Sequence, residues 1–179
     1  EPTSERLRQL TLVIRDSDNH YTESIYRELG RQASIERLID ICGLTDSRPD
    51  SWGWSTTQLS ARDTVRMGAC LADGRAAGPQ WTDWLLDEMR AVRGVGDFGI
   101  RHALPPEEAA QVAIKNGWVV RSHLGEYHVN CLAIGEDWSM AVLTRYPSWR
   151  GYEYGAQYCQ SLASRHLASP REPAAAPPR

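Results

Sequence analysis

Apolar residues recur every three or four positions through the first half of the chain, which is the spacing of amphipathic helices. The segment 4–15 shows this spacing at Leu7, Leu10, Val13 and Ile14. Further helical segments of the same kind end near Gly30, Gly43, Gly74 and Val92. Two of the helix starts have capping residues: Asn19 or Thr22 can cap the second helix, and Ser60 with Asp63 forms a capping-box-like start.

Short apolar or alternating segments replace this spacing after residue 110, as in β-strands. The predicted strands are 111–115, 118–122, 126–134 and 138–146, with turns at Gly117 or Gly125 and at residues 135–137. Helical spacing returns from about Gly151 to Leu167. This order predicts an α+β fold in which a helical block is followed by a small antiparallel sheet that the C-terminal helix covers.

The composition fits one globular domain with a tail. The 179 residues are 41% hydrophobic and 24% charged, as is usual for a globular protein. We expect the domain to occupy residues 1–168 and the Pro/Ala-rich segment 169–179 to be disordered.

Several kinds of partner are not expected. A net charge of −3 gives no basic patch for nucleic acid. No run of about 18 apolar residues predicts a membrane span. The cysteines and histidines do not show metal-ligand spacing, so we expect neither a metal nor another cofactor.

Two short motifs carry candidate chemistry. Ser17-Asp18-Asn19 follows the first predicted helix, and Lys115-Asn116-Gly117-Trp118 lies in the strand region. Serine penicillin-recognising enzymes have three motifs in the order Ser-x-x-Lys, Ser-Asp-Asn and Lys-Thr-Gly or a variant. Taken alone, Ser-Asp-Asn is also a good turn and N-cap sequence, and a lone strand lysine is usually solvated.

Order, spacing and flanking residues identify a family. The flanking stretches are Cys42-Gly43-Leu44, Trp52-Gly53-Trp54, Asp97-Phe98-Gly99-Ile100 and Met140-Ala141-Val142. Over roughly residues 5–167 the chain resembles class A beta-lactamase-like serine hydrolases of the penicillin-recognising superfamily, especially exported actinobacterial members, without the part that carries Ser-x-x-Lys. The resemblance implies a beta-lactamase/transpeptidase-like fold, incomplete at the N-terminus, and a secreted or cell-surface location.

The resemblance also implies roles for six residues in acyl transfer. Ser17 would relay a proton to the leaving group, Asn19 would bond the substrate amide and the catalytic lysine, and Lys115 would supply positive charge. Asn116, Gly117 and Trp118 would bind substrate: a side-chain amide in place of the usual hydroxyl, a close backbone approach, and a backbone N–H for the oxyanion.

The sequence departs from the family pattern in one decisive way: it contains no Ser-x-x-Lys. We therefore expect a partial catalytic domain, inactive alone, whose parent forms acyl-serine with peptide-like or beta-lactam-like substrates. Its partner would then be the missing N-terminal half. The alternative is a non-catalytic relative that binds a cell-wall peptide or a partner protein. The loop from Leu44 to Thr57 also lacks the glutamate of class A enzymes, so an efficient lactamase is not expected.

The cysteines leave two interpretations open. Cys42, Cys70, Cys131 and Cys159 are either buried free thiols or two disulfides. The resemblance to exported proteins and the even count favour disulfides. The preferred pairs are Cys42–Cys70 and Cys131–Cys159, although the sequence alone allows three connectivities.

Overall fold

Helices and a three-stranded antiparallel sheet make up residues 1–167, which are the residues that the computed structural model describes. The elements in chain order are α1 Ser4–Arg15, α2 Asn19–Glu28, α3 Gln32–Cys42, α4 Ala61–Ala72, α5 Pro79–Arg90, α6 Pro106–Ala109, β1 Ala113–Arg121, β2 Glu126–Ile134, β3 Ser139–Pro147 and α7 Gly151–Leu167. The predicted α+β order is confirmed. The tail expected at 169–179 lies outside the described residues.

Two helix starts test the capping predictions. Asp18 caps α2, because its Oδ1 accepts the backbone N–H of Tyr21 at 2.8 Å. The choice of Asn19 or Thr22 was wrong, since both already lie within the helix. At α4 the prediction is confirmed: the Ser60 hydroxyl accepts the backbone N–H of Asp63 at 3.0 Å.

The strand break predicted at Gly117 is wrong. β1 runs unbroken through this residue, which pairs with Asn130 of β2. Gly117 does not adopt a positive φ, so nothing in its backbone turns the chain. The turn lies instead at residues 122–125, where Gly125 has φ of +65°. The β1–β2 and β2–β3 pairs form an antiparallel meander in the order β1-β2-β3.

Each face of the sheet contributes buried side chains, because successive side chains of a strand point to opposite sides and helices pack on both. The α7 face packs on the C-terminal helix through a core that includes Ile114, Val129 and Val142. The opposite side, here called the α4 face, packs on α4 and α5 through Ala113, Leu132 and related residues. Lys115 is two residues from Ala113 and belongs to the α4 face.

Both preferred disulfides are present, so the free-thiol interpretation was wrong. Cys42–Cys70 joins α3 to α4, and Cys131–Cys159 joins β2 to α7. Their Cα–Cα distances are 5.5 and 6.5 Å, within the usual range. The bridges therefore tie the helical block together on one side of the sheet and fasten the C-terminal helix on the other.

The helical block is less well packed than the sheet. None of the twelve residues of α1, all of them within the described chain, is buried. At the ends of α2 and α3, Leu29 and Ile41 are 52% and 49% exposed. Separately, no helix formed within residues 1–167 combines the length and apolar character needed to cross a bilayer.

Candidate active site

Ser17 and Lys115 meet where the helical block reaches the first strand. Ser17 lies in the turn between α1 and α2, and its backbone has φ of +55°, an uncommon conformation for a residue with a side chain. Lys115 projects from β1, and its Nζ donates a short hydrogen bond to Ser17 Oγ. The structure thus joins two of the predicted catalytic residues.

Burial controls the charge of Lys115. It lowers the pKa of the Lys115 ammonium group to about 8, because a charge held away from water is disfavoured. The negative charge of Asp16 acts in the opposite direction and raises this pKa. A lysine titrating near 8 can give up a proton near neutral pH and regain it, as a proton relay requires. Lys115 is also the only lysine in the sequence.

Two arginine–carboxylate forks anchor the end of α1 beside this pair. Arg15 donates to both oxygens of the buried Glu88 on α5, at 2.7 and 2.8 Å. Arg93 donates to both oxygens of Asp16, at 2.6 and 2.7 Å. Our sequence analysis missed all four residues, because the partners are more than 70 positions apart and no local pattern links them.

The other two residues of the Ser-Asp-Asn motif differ: Asp18 stabilises a helix start, and Asn19 is exposed. Asp18 is the N-cap of α2, and its carbonyl oxygen accepts the hydroxyl of Thr22 at 2.6 Å. Asn19 is the first residue of α2 and is exposed. Its predicted contacts with substrate and a catalytic lysine stay predictions.

Asn116 lies on the other side of β1 from Lys115. Its Nδ2 donates to the carbonyl oxygens of Gly96 and Phe98, at 3.0 and 2.9 Å. The residue is buried, and among residues 1–167 its Oδ1 has no hydrogen-bond partner. The amide nitrogen therefore holds the segment before α6 against the sheet. Substrate binding by this residue stays a prediction.

Gly117 and Trp118 complete the motif in different ways. A Cβ added at Gly117 would meet no atom within 4 Å, so open space adjoins this part of β1. The Trp118 ring packs edge-to-face on Phe98 and Tyr152, with ring centroids 5.9 and 6.1 Å apart. The indole is thus a core side chain, while the predicted oxyanion contact concerns its backbone N–H.

A cleft of about 800 Å³ opens beside Lys115 on the α4 face. Its floor comes from all three strands of the described sheet, and its walls come from α4 and the loop before it. Lining residues include Thr57, Met67, Lys115, Gly117, Asn130 and Leu143. This volume is in the range of small-molecule sites.

Comparison with known proteins settles the family. A family model described as the beta-lactamase enzyme family matches residues 5–167. The chain belongs to the beta-lactamase enzyme family. The resemblance inferred from the Ser-Asp-Asn and Lys-Asn-Gly motifs is thereby confirmed. Among curated proteins, none matches the sequence of this family member.

Solved structures share the fold of this beta-lactamase-family chain. A beta-lactamase from Burkholderia vietnamiensis has a TM-score of 0.72 and 19% identity over 90% of this chain and 61% of that one. For a beta-lactamase from Sphaerobacter thermophilus the values are 0.68, 16%, 93% and 62%. A protein described as PBP-A gives 0.62, 21%, 91% and 62%. The chain therefore spans less than two thirds of the length of these structures, whose fold it shares.

Proposed function

We propose that this domain supplies the proton-relay and substrate-binding part of a serine acyl-transfer site. The carrying observation is the hydrogen bond to Ser17 Oγ from Lys115 Nζ, whose side chain lines a cleft. A hydroxyl both donates and accepts, so Ser17 can pass a proton between Lys115 and a leaving group. The relay would serve the collapse of a tetrahedral intermediate, in which the leaving nitrogen needs a proton.

The substrates would be peptide-like or beta-lactam-like amides. Lys115 offers positive charge to a substrate carboxylate, and Gly117 leaves room for a backbone-like group along β1. A related structure, PBP-A, is described as an acyl-enzyme complex with penicillin G. The same acyl-enzyme chemistry is proposed for the protein to which this domain belongs. Its two disulfides fit an exported protein.

The nucleophile would come from a segment outside these 179 residues. No serine here is followed three residues later by lysine, because the only lysine is Lys115. The poorly buried α1 offers a surface on which an apolar helix bearing Ser-x-x-Lys could pack. The missing N-terminal half is therefore the proposed partner, and this chain alone would be inactive.

The test compares this chain alone with the full product of its reading frame. Intact-mass analysis after incubation with penicillin or a fluorophosphonate should show no adduct on this chain and a stoichiometric adduct on the full product. In the full product, Ser17→Ala or Lys115→Ala should slow acylation by about 10²–10⁴-fold, which is the usual contribution of a general acid–base group. Ser164→Ala, on the exposed side of α7, is the matched control. A full product that never forms an adduct would overturn the proposal.

The absence of Ser-x-x-Lys from the sequence also supports a second candidate, a non-catalytic binding relative. Such a protein would bind a cell-wall peptide or a partner protein in the cleft without covalent chemistry. Saturable calorimetric binding of a cell-wall peptide to this chain, abolished by Lys115→Ala and without any mass adduct on the full product, would favour this function.

A further inference from the structure

Arg93 holds the turn that carries Ser17 through both its side chain and its backbone. Its guanidinium forms the two-bond fork with Asp16, the residue just before Ser17. Its backbone N–H also donates to the carbonyl oxygen of Arg15 at 3.2 Å. The side chain and backbone of Arg93 therefore hold two consecutive residues, the last of α1 and the first of the turn.

This turn needs such a restraint, because Ser17 has φ of +55° and residues with a side chain disfavour that conformation. Asp18 leaves the turn in the other direction by capping α2. Ser17 is thus fixed between an anchored residue on one side and a helix cap on the other. Without the anchor, nothing in its own backbone preference would keep its hydroxyl at Lys115.

Asp16 also affects Lys115 through its charge. It is the charged group that acts on the Lys115 ammonium from the turn. Arg15 at the end of α1 and Arg93 after α5 are the cations around Asp16. On the sheet side Lys115 faces the uncharged Leu132 of β2. Burial is thus the larger influence on the pKa of Lys115, Asp16 partly opposes it, and Arg93 is paired with Asp16.

We propose, building on the function proposed above, that the Arg93–Asp16 ion pair positions Ser17 against Lys115 and places the Asp16 carboxylate where its charge acts on Lys115. Neither residue forms an ion pair with Lys115 in the described chain. Arg93 and Asp16 would therefore act on Lys115 through the position of Ser17 and through the electrostatic effect of the Asp16 charge. The fork is partly exposed, with 58% of the Arg93 side chain accessible. Exposed pairs contribute little to stability, so breaking this one should leave the fold nearly as stable.

The two partners should shift Lys115 in opposite directions. Asp16→Asn removes the negative charge that favours the ammonium form, so the pKa of Lys115 should fall further. Arg93→Gln keeps the Asp16 carboxylate but removes its cationic partner, so its charge should act on Lys115 with less compensation and raise that pKa. Asp16→Glu keeps the charge and should restore the wild-type titration. A purely structural role would not give opposite signs.

The experiment uses this chain grown with isotopically labelled lysine. Because the sequence has one lysine, the spectrum contains one ε-methylene signal, and its pH titration reports Lys115 directly. The matched control is Arg75→Gln, which breaks the exposed Arg75–Asp73 fork elsewhere. We expect the control to leave the titration unchanged and all variants to melt close to the wild type.

Equal or same-sign shifts for Asp16→Asn and Arg93→Gln, or shifts no larger than in the control, would overturn the proposal. If Arg93→Gln fails to fold, the contrast between Asp16→Asn and Asp16→Glu still decides it. The lysine titration does not involve acylation. An unchanged titration therefore counts against the positioning pair alone, whereas a full product without an adduct counts against the proposed function alone.

Discussion

Lys115 and Ser17 are 98 positions apart in the sequence, yet Lys115 Nζ donates a hydrogen bond to Ser17 Oγ. The contact joins a strand of the sheet to a turn of the helical block, so it exists only when both parts are assembled. The burial that comes with it lowers the pKa of Lys115 to about 8. Holding this ammonium group away from water therefore costs the folded state stability.

Lys115→Met should be at least as stable as the wild type at pH 7. The pKa of Lys115 is about 8 in the folded chain against an ordinary 10.5, so below pH 8 the folded state holds a charge that it disfavours. Between pH 8 and 10.5 the folded state binds fewer protons than the unfolded state, and wild-type stability rises. Urea unfolding at pH 7 and pH 10 should therefore show the advantage of Lys115→Met shrinking. Lys115→Arg stays charged, so it should not be more stable than the wild type at pH 7. A gain in stability equal to that of Lys115→Met would contradict the explanation.

A buried acid also makes stability rise with pH, but in the acid range. Burial alone would raise the pKa of Asp63, but hydrogen bonds from Ser47, the backbone N–H of Asp46 and Arg66 lower it overall. The stability that Asp63 contributes should be present above its ordinary pKa and be lost as acid protonates the folded state. Asp63→Asn should lower the melting temperature at pH 7 and flatten its fall toward acid pH. Asp40→Asn, on the exposed side of α3, serves as a comparison, and identical acid curves for Asp63→Asn and wild type would contradict the prediction.

The sequence predicted well what depends on local pattern and poorly what depends on distant partners. The periodicity of 4–15 and the capping of α4 by Ser60 were visible because helix spacing and caps are local. The break at Gly117 was wrong because glycine alone does not turn a strand that pairs along its full length. The Arg93–Asp16 fork could not be predicted, since it depends on how α1 and the segment after α5 pack.

Breaking the bridge between sheet and C-terminal helix should cost about 3–4 kcal/mol. Cys131 and Cys159 are 28 positions apart. A cross-link that closes a loop of this length lowers the conformational entropy of the unfolded chain, which destabilises the unfolded state by about this free energy. Cys131→Ser with Cys159→Ser should lower the free energy of unfolding accordingly in denaturant titration. Reducing agent should lower the free energy of unfolding of the wild type by more than the double substitution does, because it also opens Cys42–Cys70. A double variant as stable as the wild type would show that α7 needs no covalent anchor.

Replacing a glycine by alanine should destabilise the chain in α7 and much less so in β1. A Cβ at Gly155 would lie 2.5 Å from Val129 Cβ and 2.6 Å from Tyr146 Oη, so the helix could not keep its distance from the sheet. Gly155→Ala should lower the free energy of unfolding by about 1–3 kcal/mol through overpacking, despite the better helix propensity of alanine. Gly117→Ala meets no atom within 4 Å and is the matched control. A neutral Gly155→Ala would mean that α7 can move outward freely.

Asn116 should act as a structural residue first. Its Nδ2 satisfies the buried carbonyl oxygens of Gly96 and Phe98, and a shorter hydroxyl side chain cannot serve both. Asn116→Thr should therefore lower the free energy of unfolding by about 1–3 kcal/mol, although threonine is usual at this place in the motif. Asn116→Asp is the sharper variant, because it sets a buried carboxylate against two carbonyl oxygens and should be less stable still. If Asn116→Asp is as stable as the wild type in denaturant unfolding, the amide does not donate to these carbonyls, and its side chain is available to a substrate instead.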